Sequence, residues 1–135
     1  MSLNRRKERE IAFQMLFAAQ FSPEEETASL YETLVAEQEC EEAKDSAYIR
    51  EVFCGAREYA PEAAKLIEEN AKGWKIERLS KATLTVLQLA IFEMKKMDSV
   101  PEKIAINEAV ELAKHFAEDG AKKFINGILG AVAGE

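Results

Sequence analysis

The chain repeats apolar side chains every three or four residues along almost its whole length of 135 residues. This spacing places them on one face of an α-helix, whereas a half-buried strand needs strict alternation of apolar and polar residues. The six glycines and three prolines fall mostly between the helical patterns, where they interrupt helices. The sequence therefore predicts an all-α fold, a compact bundle of about seven helices in a single domain over residues 1–135.

Two features of the pattern make more detailed predictions. The first helix is predicted over Arg5 to Gln20, and the stretch from Leu79 to Met97 is apolar almost all round. Since a helix without a polar face has to be buried, we expect this fifth helix to be the most buried element and to lie at the centre. Ser22, followed by Pro23 and then Glu25, has the pattern of a capping box, which predicts that a second helix starts there.

The sequence lacks the signals of catalytic and metal sites. The two cysteines, Cys40 and Cys54, lie among helical residues, so neither a disulfide framework nor a zinc site is expected. The single histidine, His115, has no cysteine or second histidine at metal-ligand or triad spacing, and we expect it to be an ordinary surface residue. No phosphate loop, nucleophile elbow or zinc-protease motif occurs, so we expect no enzyme, no metal and no cofactor.

The sequence also argues against a membrane location. No apolar run approaches the roughly 20 residues that span a bilayer. The first residues are charged where a signal peptide would be apolar. We therefore expect a cytoplasmic protein in a reducing compartment.

Charge is unevenly distributed along the chain. The 18 Lys and Arg residues and 25 Asp and Glu residues give a net charge of −7, which by itself argues against a nucleic-acid binder. Between Glu24 and Asp45, however, nine acids accompany one base, Lys44, so that this acidic segment alone carries −8. The rest of the chain is close to neutral, and the acidic segment is suited to repelling RNA or attracting a basic protein.

The start of the first helix is basic, with four cations in five positions: Arg5, Arg6, Lys7 and Arg9. Cations there meet the positive end of the helix macrodipole at a cost of about 0.3–1 kcal/mol, which favours an anionic ligand. Arg5 and Arg9 are four residues apart and are predicted to face one way, toward phosphates or unpaired bases. The alternative is a solvated helix start in which Glu8 and Glu10 pair locally with the cations, and this segment alone does not decide between them.

The last predicted helices contain residues that form helices poorly. We expect Asn107 to be a hydrogen-bonded capping or core amide, and Gly127 to allow close helix packing. The same region combines cations, an aromatic ring and an amide, the groups that contact phosphates, stack on bases and bind base edges. These residues are Lys122, Lys123, Phe124 and Asn126.

Three segments carry a family resemblance: RRKEREIAFQMLF at 5–17, NEAVELAK at 107–114 and KFINGIL at 123–129. Together they resemble the NusB family of bacterial transcription antitermination factors. The resemblance covers the whole chain and is weakest between about Pro23 and Asn70. It implies an all-helical fold of two packed three-helix sub-bundles that works without catalysis.

The resemblance also implies a function in RNA binding. Proteins of this family bind the single-stranded boxA element of nascent RNA together with NusE, a small-subunit ribosomal protein. They help RNA polymerase to read through terminators, notably in ribosomal RNA operons. The implied partners are therefore RNA, NusE and the polymerase antitermination complex, and neither DNA nor a membrane. The RNA-binding residues implied by position are Arg5, Arg6, Lys7, Arg9, Gln14, Phe17, Lys123, Phe124 and Asn126.

Two questions remain open at the level of sequence. The resemblance does not assign a NusE surface, since positions on the fifth helix that we expect to be exposed, Lys81, Thr85 and Gln88, suit a partner or solvent equally well. Related domains also precede RNA methyltransferase domains, and none is expected here. A second hypothesis is an acidic helical protein-interaction module that docks a basic partner without direct RNA binding. The two hypotheses differ in whether RNA binding depends on the basic start of the first helix.

Overall fold

The computed structural model describes residues 3–72 and 76–134, and within these ranges the chain is all-α, with seven α-helices and no strand. The helices are α1 (Arg5–Ala19), α2 (Thr27–Ala36), α3 (Ala47–Glu58), α4 (Ala60–Asn70), α5 (Lys81–Lys96), α6 (Glu102–Phe116) and α7 (Ala121–Ala133). Two short 3-10 helices lie at Glu41–Asp45 and Ile76–Arg78. The predicted fold class is confirmed.

The described residues divide into two compact units, one ending at Glu58 and the other beginning at Tyr59. The first unit contains α1 to α3 and the second contains α4 to α7. The sub-bundles therefore have three and four helices, where the resemblance implied three each. That residues 1–135 act as one domain stays a prediction.

In the first unit, α1 packs mainly against α3, and α2 contacts both helices. The helix α1 begins at Arg5 because the Asn4 side chain accepts a hydrogen bond from the Lys7 backbone N–H at 2.8 Å. Apolar side chains of α1 and α3 form the core between these helices. They are Ile11, Ala12, Phe13, Met15 and Leu16 on α1, and Tyr48, Ile49, Val52 and Phe53 on α3.

The start of α2 differs from the prediction. The helix begins at Thr27, so the capping box predicted at Ser22 is wrong. Instead, the Ser22 carbonyl accepts from the Glu25 backbone N–H at 3.2 Å in a turn. Arg57 of α3 donates to the carbonyl oxygens of Ser22 and Pro23 at 3.1 and 3.4 Å. Because α3 binds these carbonyls, residues 22–25 form a turn and the helix starts later.

In the second unit, α5 packs against α4, α6 and α7. It has ten buried residues, more than any other helix described, and α1 follows with seven. The prediction that the fifth helix is the most buried is confirmed. No helix in the described part of the chain combines the length and apolarity needed to cross a bilayer.

Two expectations for the second unit are wrong. Asn107 is exposed in the middle of α6, so it is neither a helix cap nor a core amide. Gly127 is exposed on α7, and a Cβ added there would meet no atom within 4 Å, so this glycine does not allow a close helix contact. At such exposed positions a poor helix former costs only its intrinsic propensity, up to about 1 kcal/mol.

We expect Ile125→Ala to lower the free energy of unfolding by about 2–5 kcal/mol, because the replaced side chain is completely buried in α7. The matched control is Ile104→Ala on α6, where the isoleucine is 47% exposed. Its effect should stay within about 0.5 kcal/mol. Urea unfolding followed by circular dichroism measures both, and equal losses would contradict the burial described.

Candidate nucleic-acid interface

One face of α1 presents four of the predicted site residues to solvent. Arg6, Lys7 and Gln14 are exposed, and Phe17 is half-buried. With 3.6 residues per turn, each residue advances about 100° around the helix, so these four lie within a sector of about 100°. This exposed α1 face therefore combines two cations, an amide and an aromatic ring.

The Phe17 ring lies between two other phenyl rings. It stacks on buried Phe13 with ring centroids 6.2 Å apart and meets Phe21 edge-on at 5.5 Å. Phe21 is 63% exposed, although it was not among the predicted site residues. Phe21 could have been identified from the sequence, because Phe13, Phe17 and Phe21 follow one another at intervals of four residues. The end of α1 thus has an aromatic surface whose inner ring is fixed in the core.

Arg5 and Arg9 lie on another side of α1, beside Tyr48 of α3. Their guanidinium carbons Cζ are 4.1 Å and 5.6 Å from the Tyr48 ring centroid, within the range of cation–π attraction. Arg9 is only 3% exposed. The two arginines do share a side, as expected, but one of them is buried, and RNA contact by Arg9 stays a prediction.

Glu8 connects the start of α1 to the start of α3. Its carboxylate pairs with Arg5 at 3.5 Å, so the local pairing considered from the sequence is present. It also accepts a hydrogen bond from the Ser46 hydroxyl. Ser46 caps α3, since its Oγ accepts from the Ile49 backbone N–H at 3.0 Å. The positive end of the α3 dipole favours a carboxylate at this position.

The predicted residues near the C-terminus lie on α7, in the second unit. Lys123 and Asn126 are exposed and Phe124 is half-buried. Two of them, Lys123 and Phe124, line a pocket. Arg78, which was not among the residues predicted from the sequence, lines the same pocket. The pocket is completed by Leu79, Ser80, Thr83, Glu118, Asp119, Gly120 and Ala121. That this segment lies beside the basic start of α1 stays a prediction.

The acidic side of this pocket is fixed at the start of α5. Ser80 caps the helix by accepting from the Thr83 backbone N–H at 3.0 Å. Glu118 accepts from the Thr83 hydroxyl at 2.5 Å and from the Ser80 hydroxyl at 3.0 Å. The pKa of Glu118 lies below its ordinary value because these hydrogen bonds stabilise the ionised carboxylate. The hydrogen bond from Thr83 contributes most, and a backbone hydrogen bond and the one from Ser80 contribute less. The acidic residues Glu118 and Asp119 therefore offset the charges of Arg78 and Lys123 in the lining of the pocket.

Other positions singled out from the sequence have different outcomes. Thr85 is completely buried and donates to the Lys81 carbonyl at 2.6 Å, so the expectation of an exposed position is wrong. Lys81 is exposed and Gln88 is half-buried. His115 is exposed in the last turn of α6, at the surface position that the sequence predicted.

Comparison with known proteins gives consistent matches over nearly the whole chain. The model of the NusB family matches residues 6–134. A transcription antitermination protein NusB from Limosilactobacillus fermentum is 42% identical, with 99% of this chain and 96% of the relative covered. The structure of T. maritima NusB is similar with a TM-score of 0.86 and 31% identity, covering 100% of this chain and 94% of the other. A crystal structure of antitermination factors NusB and NusE in complex with dsRNA is similar with a TM-score of 0.79 and 25% sequence identity, and 96% of each chain is covered.

We expect Arg9→Gln to lower the free energy of unfolding by about 1–3 kcal/mol, because it removes a buried guanidinium and its contact with the Tyr48 ring. Arg6→Gln is the matched control, since it makes the same chemical change at an exposed position of the same helix. The control should change stability by less than about 0.5 kcal/mol. Chemical denaturation measures both variants, and an unchanged stability in Arg9→Gln would contradict the burial of this side chain.

We expect Thr83→Val to raise the pKa of Glu118 toward its ordinary 4.5, and Ser80→Ala to raise this pKa by less. Because the pKa is lowered in the folded protein, ionised Glu118 stabilises the fold above its unfolded pKa. That contribution is lost as the pH falls through the folded pKa. Carboxyl-carbon NMR titration measures the shifts, and a pKa unchanged in Thr83→Val would show that this hydroxyl is not the main cause.

Proposed function

The chain belongs to the NusB family, and we propose that it is a transcription antitermination factor that binds RNA together with NusE through the exposed α1 face. The RNA is the single-stranded boxA element of nascent transcripts, notably those of ribosomal RNA operons. The protein acts by binding, without a chemical step, in the cytoplasm. Its complex with RNA and NusE promotes read-through by RNA polymerase.

The chemistry of the exposed α1 face is the observation that carries this proposal. Arg6 and Lys7 are exposed cations that suit phosphates, and the amide of Gln14 suits hydrogen bonding to base edges. Phe17 adds an aromatic ring on which an unpaired base can stack. Phe17 lies eleven positions after Arg6, a rise of about 16 Å along the helix. A single RNA strand that lies along this face can therefore make phosphate, base-edge and stacking contacts one after another.

The charge of the protein supports a requirement for NusE. The two cations of the exposed α1 face neutralise about two phosphates, which gives a modest and salt-sensitive affinity. The net charge of −7 opposes RNA at longer range. A second RNA-binding protein on the same RNA adds contacts and raises the overall affinity through effective concentration. A related crystal structure contains the antitermination factors NusB and NusE in complex with dsRNA, which supports joint binding.

We expect Arg6→Ala combined with Lys7→Ala to weaken boxA RNA binding roughly tenfold or more at moderate salt, because two phosphate contacts are lost. The slope of log affinity against log salt should become shallower by about 1.4, at about 0.7 per phosphate of a single strand. Fluorescence anisotropy of labelled RNA at several salt concentrations, with and without NusE, measures both quantities.

Lys65→Ala combined with Lys103→Ala is the matched control for charge, since it removes two exposed cations from α4 and α6. This control should bind RNA with nearly the wild-type slope. Equal slopes for all three proteins, with equal affinity for scrambled RNA, would contradict RNA recognition by the exposed α1 face. Binding of NusE without any RNA binding would instead favour the protein-interaction hypothesis.

A further inference from the structure

We propose that Tyr48 is a positioning residue for RNA binding, and that it acts by holding the Arg5 guanidinium where a phosphate can meet it. This inference rests on the proposed function and extends it to a residue of α3. Arg5 Cζ lies 4.1 Å from the centroid of the Tyr48 ring, and the Glu8 carboxylate is 3.5 Å from Arg5 Nη1. The guanidinium is therefore held from two directions, by a ring on α3 and by a carboxylate on α1.

The ring that holds Arg5 is itself fixed. Tyr48 is 5% exposed, and its ring lies 5.6 Å from Cζ of the buried Arg9. It is also in the first turn of α3, two residues after the capping residue Ser46. Because Ser46 donates to Glu8, the second group that holds Arg5 is anchored on the same helix end. The packing of α3 thus fixes both supports.

Arg5 nevertheless remains accessible. Its side chain is 56% exposed although it contacts both Tyr48 and Glu8. A guanidinium has five N–H donors in a planar fork, so a contact with a ring and one carboxylate leaves donors for bidentate phosphate binding. A free arginine loses side-chain entropy when it binds, and a side chain that is already ordered loses less. Tyr48 therefore increases RNA affinity without touching RNA.

A double-mutant cycle tests this role in the full chain with NusE and boxA RNA. Tyr48→Leu removes the ring and should weaken binding roughly two- to fivefold, the size of an exposed cation–π contact. Tyr48→Phe keeps the ring and should stay within about twofold of wild type. In an Arg5→Ala background, Tyr48→Leu should cause no further loss. An unchanged affinity in Tyr48→Leu, or an equal loss in both backgrounds, would overturn the proposal.

Tyr31→Leu is the matched control for the loss of a buried tyrosine. Tyr31 is 4% exposed in the same unit, but its ring lies beside a different arginine, Arg50, whose Cζ is 5.3 Å from the ring centroid. We expect this variant to lose stability and to keep wild-type RNA affinity at a temperature where circular dichroism shows it folded. An equal loss of RNA affinity in Tyr31→Leu and Tyr48→Leu would overturn a specific role of Tyr48.

A measurement without RNA separates this inference from the proposed function. The Tyr48 ring should shift the Arg5 side-chain proton resonances upfield in wild type and in Tyr48→Phe, but not in Tyr48→Leu. Absence of this shift in wild type would overturn the positioning role while leaving the proposed function intact. A normal shift in a protein that fails to bind boxA RNA with NusE would overturn the proposed function, and with it the role of Tyr48 in RNA binding.

Discussion

The packing of α1 against α3 determines which side chains of the basic segment reach solvent. Neighbouring residues of a helix point about 100° apart, so burying one face of α1 fixes the direction of every other side chain. Ile11, Met15 and Leu16 are buried in this core. Arg6 then lies on the exposed side while Arg9 is buried. The apolar core therefore selects which of the four clustered cations are available to an anion.

The two groups of predicted site residues differ in their electrostatics. The exposed α1 face carries Arg6 and Lys7, and the half-buried Glu10 is the acid within the same sector. The pocket on α7 is lined by two cations, Arg78 and Lys123, and by two acids, Glu118 and Asp119. The lowered pKa of Glu118 keeps its carboxylate charged. The pocket is therefore closer to neutral and less suited to holding a phosphate by charge alone. The exposed α1 face is the stronger candidate for phosphate contacts.

Sequence reasoning succeeded where the determining interactions are local. The helices follow from apolar spacing, because neighbours three and four residues apart share a face. The start of α2 was missed because Arg57, more than thirty residues away, binds the Ser22 carbonyl. The burial of Arg9 could have been predicted from the sequence, since Leu16 lies seven residues later on the same apolar face of the helix. The position of Tyr48 beside the arginines could not be predicted from the sequence, because it depends on how α3 packs against α1.

The most direct test of the exposed α1 face is an NMR titration of isotope-labelled protein, bound to NusE, with boxA RNA. We expect the largest shifts on RNA addition at Arg6, Lys7, Gln14 and Phe17 and at the neighbouring Arg5, with little change at exposed Lys65 on α4. A bound state in which these α1 residues keep their original resonances, while residues elsewhere shift, would contradict RNA recognition by this face.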